Sequence, residues 1–254
     1  MKTLLALMCV FLIPSNAFAK DAPKSPFYDM YPSQLAPAAE GYFGEWNKVL
    51  FKSGLLDAKT ARLTAISASA AMKCEYCITA QVALGKVAGA NHDEIKTATQ
   101  IAADVARFSI LLYGNEFGQE KLKTVVDKMI KGAAKKAKKA KKSPFFDMYP
   151  KALANAAETY FGISNKILFK EGPVASKAAR LCAVSASAAM KCEYCISAQA
   201  ALAKVAGASD DEIKAAIQIA AEVSRFSILL YGNEFGQEKL KTVVDKMIEK
   251  SSKK

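Results

Sequence analysis

The chain has one histidine, His92, and one tryptophan, Trp46, among 254 residues. A single imidazole excludes metal centres built from several histidines, and the position matching His92 in the second half is Asp210. Long apolar runs are also missing. The longest, Thr3 to Ile13, is too short to cross a bilayer, and no later run reaches about 18 uncharged apolar residues. Alternating strand patterns are absent, so nothing competes with a helical reading.

Six cysteines are present, and their positions matter more than their number. Lys2, the apolar run and Ala17-Phe18-Ala19 form a secretory signal pattern, with residues 1–19 removed before Lys20. Ala6 and Met8 are poor neighbours for lipid attachment at Cys9. The expected product is exported, periplasmic or secreted, and thiols there are usually oxidised. It retains Cys74, Cys77, Cys182, Cys192 and Cys195. Cys182 is left over once the close pairs form. Its apolar neighbours and its counterpart Thr64 predict an inert, buried thiol.

Basic residues outnumber acidic ones, 36 to 24, giving a net charge of +12. Six lysines cluster at Lys135, Lys136, Lys138, Lys139, Lys141 and Lys142. Such a run binds polyanions through counterion release. No aromatic residue is interleaved for base stacking, so the run reads first as a solvated linker over 132–142, with polyanion contact a secondary property.

A shift of 118 residues aligns the halves without a gap, and Arg107 to Ile130 is identical to Arg225 to Ile248. The repeat is domain-sized, which predicts two helical domains at 25–131 and 143–249. Within the first, helices are expected over Gln34–Leu50 with Ser33 as cap, Asp57–Met72 capped by Asp57, and Cys74–Val87 ended by Gly89. The fourth runs to Tyr113 from the capping-box sequence Asn91-His-Asp-Glu94, matched by Ser209-Asp-Asp-Glu212, and the fifth covers Glu116–Ile130. Phe27, Tyr28, Met30 and Tyr31 precede the first helix and are expected to pack across a unit or subunit boundary. Asp104 with Arg107, and Glu222 with Arg225, have the spacing of intrahelical ion pairs.

The chemistry-bearing element is Ala71-Met-Lys-Cys-Glu-Tyr-Cys-Ile-Thr-Ala-Gln81, repeated as Ala189-Met-Lys-Cys-Glu-Tyr-Cys-Ile-Ser-Ala-Gln199. Cysteines three apart on a helix share a face, so Cys74 with Cys77, and Cys192 with Cys195, can switch between dithiol and disulfide. A helix N-terminus and the preceding Lys73 or Lys191 favour thiolate, whereas Glu75 and Glu193 oppose it or accept protons. Tyr76 and Tyr194 are either packing residues or proton donors. A structural disulfide remains open, although a loop this short adds only about 2 kcal/mol on the chain-entropy model. Zinc would need both pairs brought together.

An Ala-rich helix, Cys-Glu-Tyr-Cys, and then Ala88-Gly-Ala-Asn-His-Asp-Glu-Ile95 or Ala206-Gly-Ala-Ser-Asp-Asp-Glu-Ile213 resemble the carboxymuconolactone decarboxylase family, in particular its AhpD-like alkylhydroperoxidase branch. The resemblance covers both units. It implies an all-α fold, no cofactor beyond redox-active disulfides, and assembly of two-unit chains into a trimer. Its implied substrates are peroxides or disulfides, with an external reductant. In that branch a Glu twelve residues before the first Cys and a His four residues after the second form a proton relay. Those positions hold Arg62 and Arg180, and Gln81 and Gln199. The resemblance thus carries over the thiol pairs without the relay. Decarboxylation in the naming branch relies on His without such a pair, which disfavours it here. The alternative to a redox enzyme is a non-catalytic binding or assembly protein with structural disulfides.

Overall fold

The computed structural model describes residues 25–52, 54–133 and 144–252. The expected signal segment and Lys135 to Lys142 lie outside the described residues.

Within those residues the chain forms ten α-helices and no strand. The first repeat holds α1 (Ala36–Phe51), α2 (Ala58–Ala71), α3 (Glu75–Val87), α4 (His92–Gly114) and α5 (Gln119–Ala133). The second holds α6 (Lys151–Phe169), α7 (Ser176–Ala189), α8 (Glu193–Val205), α9 (Asp210–Gly232) and α10 (Gln237–Ser252). A single 3-10 turn, Pro26–Met30 or Pro144–Met148, precedes each set.

The caps explain most boundaries. Asp57 accepts from Thr60 N at 2.9 Å to start α2, and both capping boxes form, from Asn91 and from Ser209. Each holds two backbone donors that helix geometry leaves without an internal partner. Two expected boundaries move. The N-cap of α1 is Leu35 without a side-chain bond, so Ser33 is not the cap. The last helix begins at Gln119 because Glu116 and Gly118 both take positive φ, 45° and 85°, turning Phe117 into the core.

The two repeats do not sit side by side on a thin interface. The most extensive helix pairing in the molecule is α2 against α7, its own counterpart. There Thr64 Oγ1 meets Cys182 Sγ at 3.9 Å, so equivalent positions face each other across a pseudo-twofold axis. Around this centre α4 packs on α7 and α9 on α2, while α3 lies against α10 and α8 against α5. The turn residues Phe27 and Met30 bury themselves among Leu230, Phe235, Leu240 and Val244 of the other repeat. Tyr31 Oη accepts from Arg225 Nη1, so the leading segment packs across the unit boundary as expected. Cys182 is fully buried and burial pushes its thiol up to about 12, which makes it unreactive near neutral pH.

Candidate functional site

Each Cys pair stands where an Ala-rich helix turns into the next. The turn from α2 to α3 is closed by Lys73 N to Ala70 O at 3.0 Å and Cys74 N to Ser69 O at 3.1 Å. It forces Lys73 and Lys191 into the left-handed region at φ 56°. Both lysines are exposed, at the turn surface. Cys74 is the N-cap of α3, and its sulfur accepts the N–H of Cys77 at 3.2 Å; Cys192 and Cys195 repeat this at 3.2 Å. The first sulfur therefore sits at the positive end of a helix dipole, which favours its anionic form once reduced. Both pairs are closed as disulfides with Cα atoms 5.2 Å apart.

The two sulfurs of a pair differ in what they face. Cys74 is 1 % exposed and lies behind the site, whereas Cys77 lines a pocket of about 90 Å³. Cys195 lines the equivalent pocket, about 80 Å³, and Cys192 is sealed. Neither pocket belongs to one repeat. The wall opposite Cys77 is Val223, Phe226 and Leu230 of α9 with Leu240, Val244 and Met247 of α10. Val105, Phe108 and Leu112 of α4 with Leu122, Val126 and Met129 of α5 face Cys195. Cys77 Sγ approaches Val223 O at 3.8 Å, and Cys195 Sγ approaches Val105 O at 4.0 Å.

The positions singled out as Arg and Gln come together here. Arg62 Nη1 donates to Gln81 Oε1 at 2.9 Å, and its guanidinium lies 3.8 Å over the Phe51 ring. Arg180 donates to Gln199 Oε1 at 3.0 Å and to Asn165 Oδ1 at 3.1 Å, and lies 3.7 Å over Phe169. Burial pushes both guanidinium groups from 12.5 down to about 10, so each stays cationic at neutral pH. Because the folded value is below the unfolded one, the buried charge opposes folding through the neutral range. That opposition is relieved only as pH rises above about 10.

Tyr76 and Tyr194 act as packing residues at the site mouth. Each makes an edge-on contact with a tyrosine of the other repeat, Tyr231 or Tyr113, at 4.9 Å between centroids. Tyr76 Oη also accepts from Gly236 N at 3.3 Å. Tyr231 and Tyr113 in turn accept the N–H of Glu75 and Glu193, at 3.1 and 3.2 Å. The Glu75 and Glu193 side chains are exposed and outside the pocket walls. His92 is exposed as well. Among the described residues no three His, Cys, Asp or Glu side chains gather as a metal site.

Sequence reasoning missed one pair of site residues. Glu222 and Asp104 make the expected intrahelical contacts, yet each also lines the pocket of the opposite Cys pair. Glu222 takes two bonds from Arg225, at 3.1 and 2.8 Å, and a third from Tyr42 Oη at 2.6 Å. Burial first, then this carboxylate, push Tyr42 up to about 12. Asp104 accepts from Tyr160 at 2.9 Å, but it is one carbon shorter and stays 3.7 Å from Arg107 Nε. Arg107 Nε and Nη2 are consequently buried without hydrogen-bond partners. Asp104→Glu is expected to reach them and raise stability by about 1 kcal/mol in urea unfolding; an unchanged midpoint would remove this account of the orphaned nitrogens.

Residues 37–117 and 154–235 each match the family model for carboxymuconolactone decarboxylases. The chain belongs to the carboxymuconolactone decarboxylase family. No curated protein and no solved structure matches it. In this family member each matched segment stops before α5 or α10, the helices that complete the pocket of the other repeat. No described helix is long and apolar enough to cross a membrane.

Proposed function

We propose that this protein is an exported thiol–disulfide oxidoreductase of the AhpD-like branch, with peroxide reduction as a weak second activity. The observation that carries the reading is the division of labour within each pair. One sulfur, Cys77 or Cys195, opens into an apolar pocket, while its partner waits behind it at a helix N-cap.

In the reduced protein the Cys77 thiolate attacks one sulfur of a bound disulfide. A mixed disulfide forms, and the first product leaves as a thiolate that takes up a proton. Cys74 then attacks Cys77, closing the internal disulfide and releasing the second thiol. Two electrons and two protons pass from the dithiol to the substrate, and an external dithiol restores the pair. With a peroxide, the same electrons cleave the O–O bond to give an alcohol and water. That reaction lacks a general acid, because Gln81 cannot exchange a proton and Arg62 keeps its own. The absence lowers the rate by about 10²–10⁴. Disulfide exchange tolerates it, since a thiolate leaves unaided.

Reduced wild type and Cys77→Ser/Cys195→Ser should be compared on hydrogen peroxide and a model disulfide, with dithiothreitol as the reductant and its uncatalysed rate subtracted. Turnover in the wild type that is lost in the variant is expected. Equal, slow consumption by both would sink the proposal.

A second reading keeps both disulfides permanently closed in a binding protein, and the Arg62–Gln81 bond where a relay belongs favours it. Polyanion contact through Lys135 to Lys142 would accompany it. For assembly we retain a trimer of two-repeat chains. Leu35 at the N-cap of α1 with Tyr42 and Val49 on it, one heptad apart, and their counterparts Leu153, Tyr160 and Ile167 on α6, stay exposed and supply apolar faces for it.

A further inference from the structure

Each pocket holds a cation that its surroundings do not neutralise. Arg180 is 8 % exposed and Arg62 is mostly buried, yet among the described residues neither forms an ion pair with a carboxylate. The carboxylates that do line the pockets are already committed. Glu222 is neutralised by Arg225, and Asp104 by Arg107. Each pocket therefore keeps one net positive charge, on a guanidinium held flat against Phe51 or Phe169 and tethered to Gln81 or Gln199. A guanidinium has five donors in a fork that fits a carboxylate, and Gln81 occupies one of Arg62's. Apart from Asn47, the rest of the wall is mainly apolar, including Phe43, Leu50, Leu84 and Phe226.

We infer that the pockets bind small organic carboxylates: an apolar body against the aromatic and aliphatic wall, and one carboxylate paired with Arg62 or Arg180. Cavities of about 90 and 80 Å³ fit a body of a few carbon atoms, with the remainder reaching through the open mouth. A buried charge opposes folding unless something pairs it, so a ligand anion gains from a cation already desolvated and oriented. For the redox chemistry this names the substrate class, a disulfide or peroxide bearing a carboxylate, and to that extent rests on the function proposed above. Binding itself requires no turnover.

The only tryptophan makes the two pockets separable. Trp46 lines the Cys77 pocket, while its counterpart in the other is Ser164. Trp46 fluorescence of the oxidised full-length protein should be titrated with hexanoate, hexanol and hexylammonium. Hexanoate is expected to bind at least about tenfold more tightly than hexanol, the ratio that 1.4 kcal/mol gives. Arg62→Met should erase that preference, whereas Arg180→Met should leave the Trp46 response intact. Equal wild-type affinities for hexanoate and hexanol would overturn the inference without any variant having to fold. A preference that survives Arg62→Met would overturn the assignment to Arg62.

Reduced protein separates this inference from the redox reading. Dithiodipropionate should be turned over faster than bis(2-hydroxyethyl) disulfide, and the two should become equal in Arg62→Met/Arg180→Met. Equal turnover of both by the wild type would leave the redox function standing and refute the carboxylate preference. Hexanoate binding with neither disulfide turned over would keep the binding site and remove the enzyme.

Discussion

Serine at Cys77 and Cys195 is expected to abolish disulfide turnover and thiol labelling at both sites, whereas serine at Cys74 and Cys192 should trap a mixed disulfide. The asymmetry follows from what each sulfur faces. All four cysteines are buried, but Cys77 and Cys195, 4 % and 5 % exposed, line the pockets, while Cys74 and Cys192, 1 % and 0 % exposed, do not. A reagent reaches the first cysteine only after local opening. With an opening free energy of about 3 kcal/mol, its labelling should be slower by about 100-fold. In Cys74→Ser/Cys192→Ser the outer thiol reacts, and no resolving thiol remains to expel the adduct. Intact mass after an aromatic disulfide should show one adduct per repeat, with Cys182 silent because burial holds its thiol near 12. Adducts forming readily in Cys77→Ser/Cys195→Ser, and not in the other variant, would reverse the assignment of attacking and resolving sulfurs.

Separating the repeats should have a comparably large effect. Residues 25–131 alone are expected not to fold as a monomer. In the intact chain Leu50, Leu56, Cys74 and Cys77 share a core with Leu181, Val184, Ile213, Ile219 and Val223. Phe27 and Met30 are buried in a cluster with Leu230, Phe235, Leu240 and Val244 of the other repeat, Phe27 stacking on Phe235 at 5.4 Å and meeting Phe226 edge-on at 5.8 Å. Exposing four such side chains removes about 6–12 kcal/mol, at about 1.5–3 each. That is comparable with the whole stability of an ordinary domain, about 5–15 kcal/mol. Helicity of the fragment should depend on concentration, because a second copy can take the place of the missing repeat across the pseudo-twofold axis. Mixing it with residues 143–249 should restore a cooperative transition. A monomeric fragment with a cooperative, concentration-independent melt would show that the shared core is dispensable.

Elements whose cause is local were legible in the chain. Asp57, Asn91 and Ser209 cap helices where their side chains reach backbone donors within three residues, so neighbours in sequence suffice to place them. The cysteine spacing likewise predicts paired sulfurs on one turn. The outer helix start misplaced at Ser33 marks the limit, since the chain bends there through Pro32 carbonyl bonds to Leu35 and Ala36 instead of a side-chain cap.

Compensation across helices was not legible. Gly85 and Ile66 in the first repeat correspond to Ala203 and Val184 in the second. A Cβ on Gly85 would stand 3.1 Å from Ile66 Cδ1, so a larger Ile is matched to a smaller Gly, and a smaller Val to Ala. Read along the chain these are two unrelated differences between the repeats. The same holds for Asp104 and Glu222, whose local partners are visible at a spacing of three but whose place opposite the other repeat's cysteines is not.

The sequence by itself determined the helices, most of their caps and the two thiol pairs, because each depends on residues a few positions apart, and it showed the duplication directly through the 118-residue shift. Tertiary structure alone decided which sulfur faces a pocket, that each pocket is walled by both repeats, and that Arg62 and Arg180 have no carboxylate partner there among the described residues. Those properties depend on burial and on contacts between residues more than a hundred positions apart, such as Cys77 with Val223, a separation of 146. No local pattern encodes them.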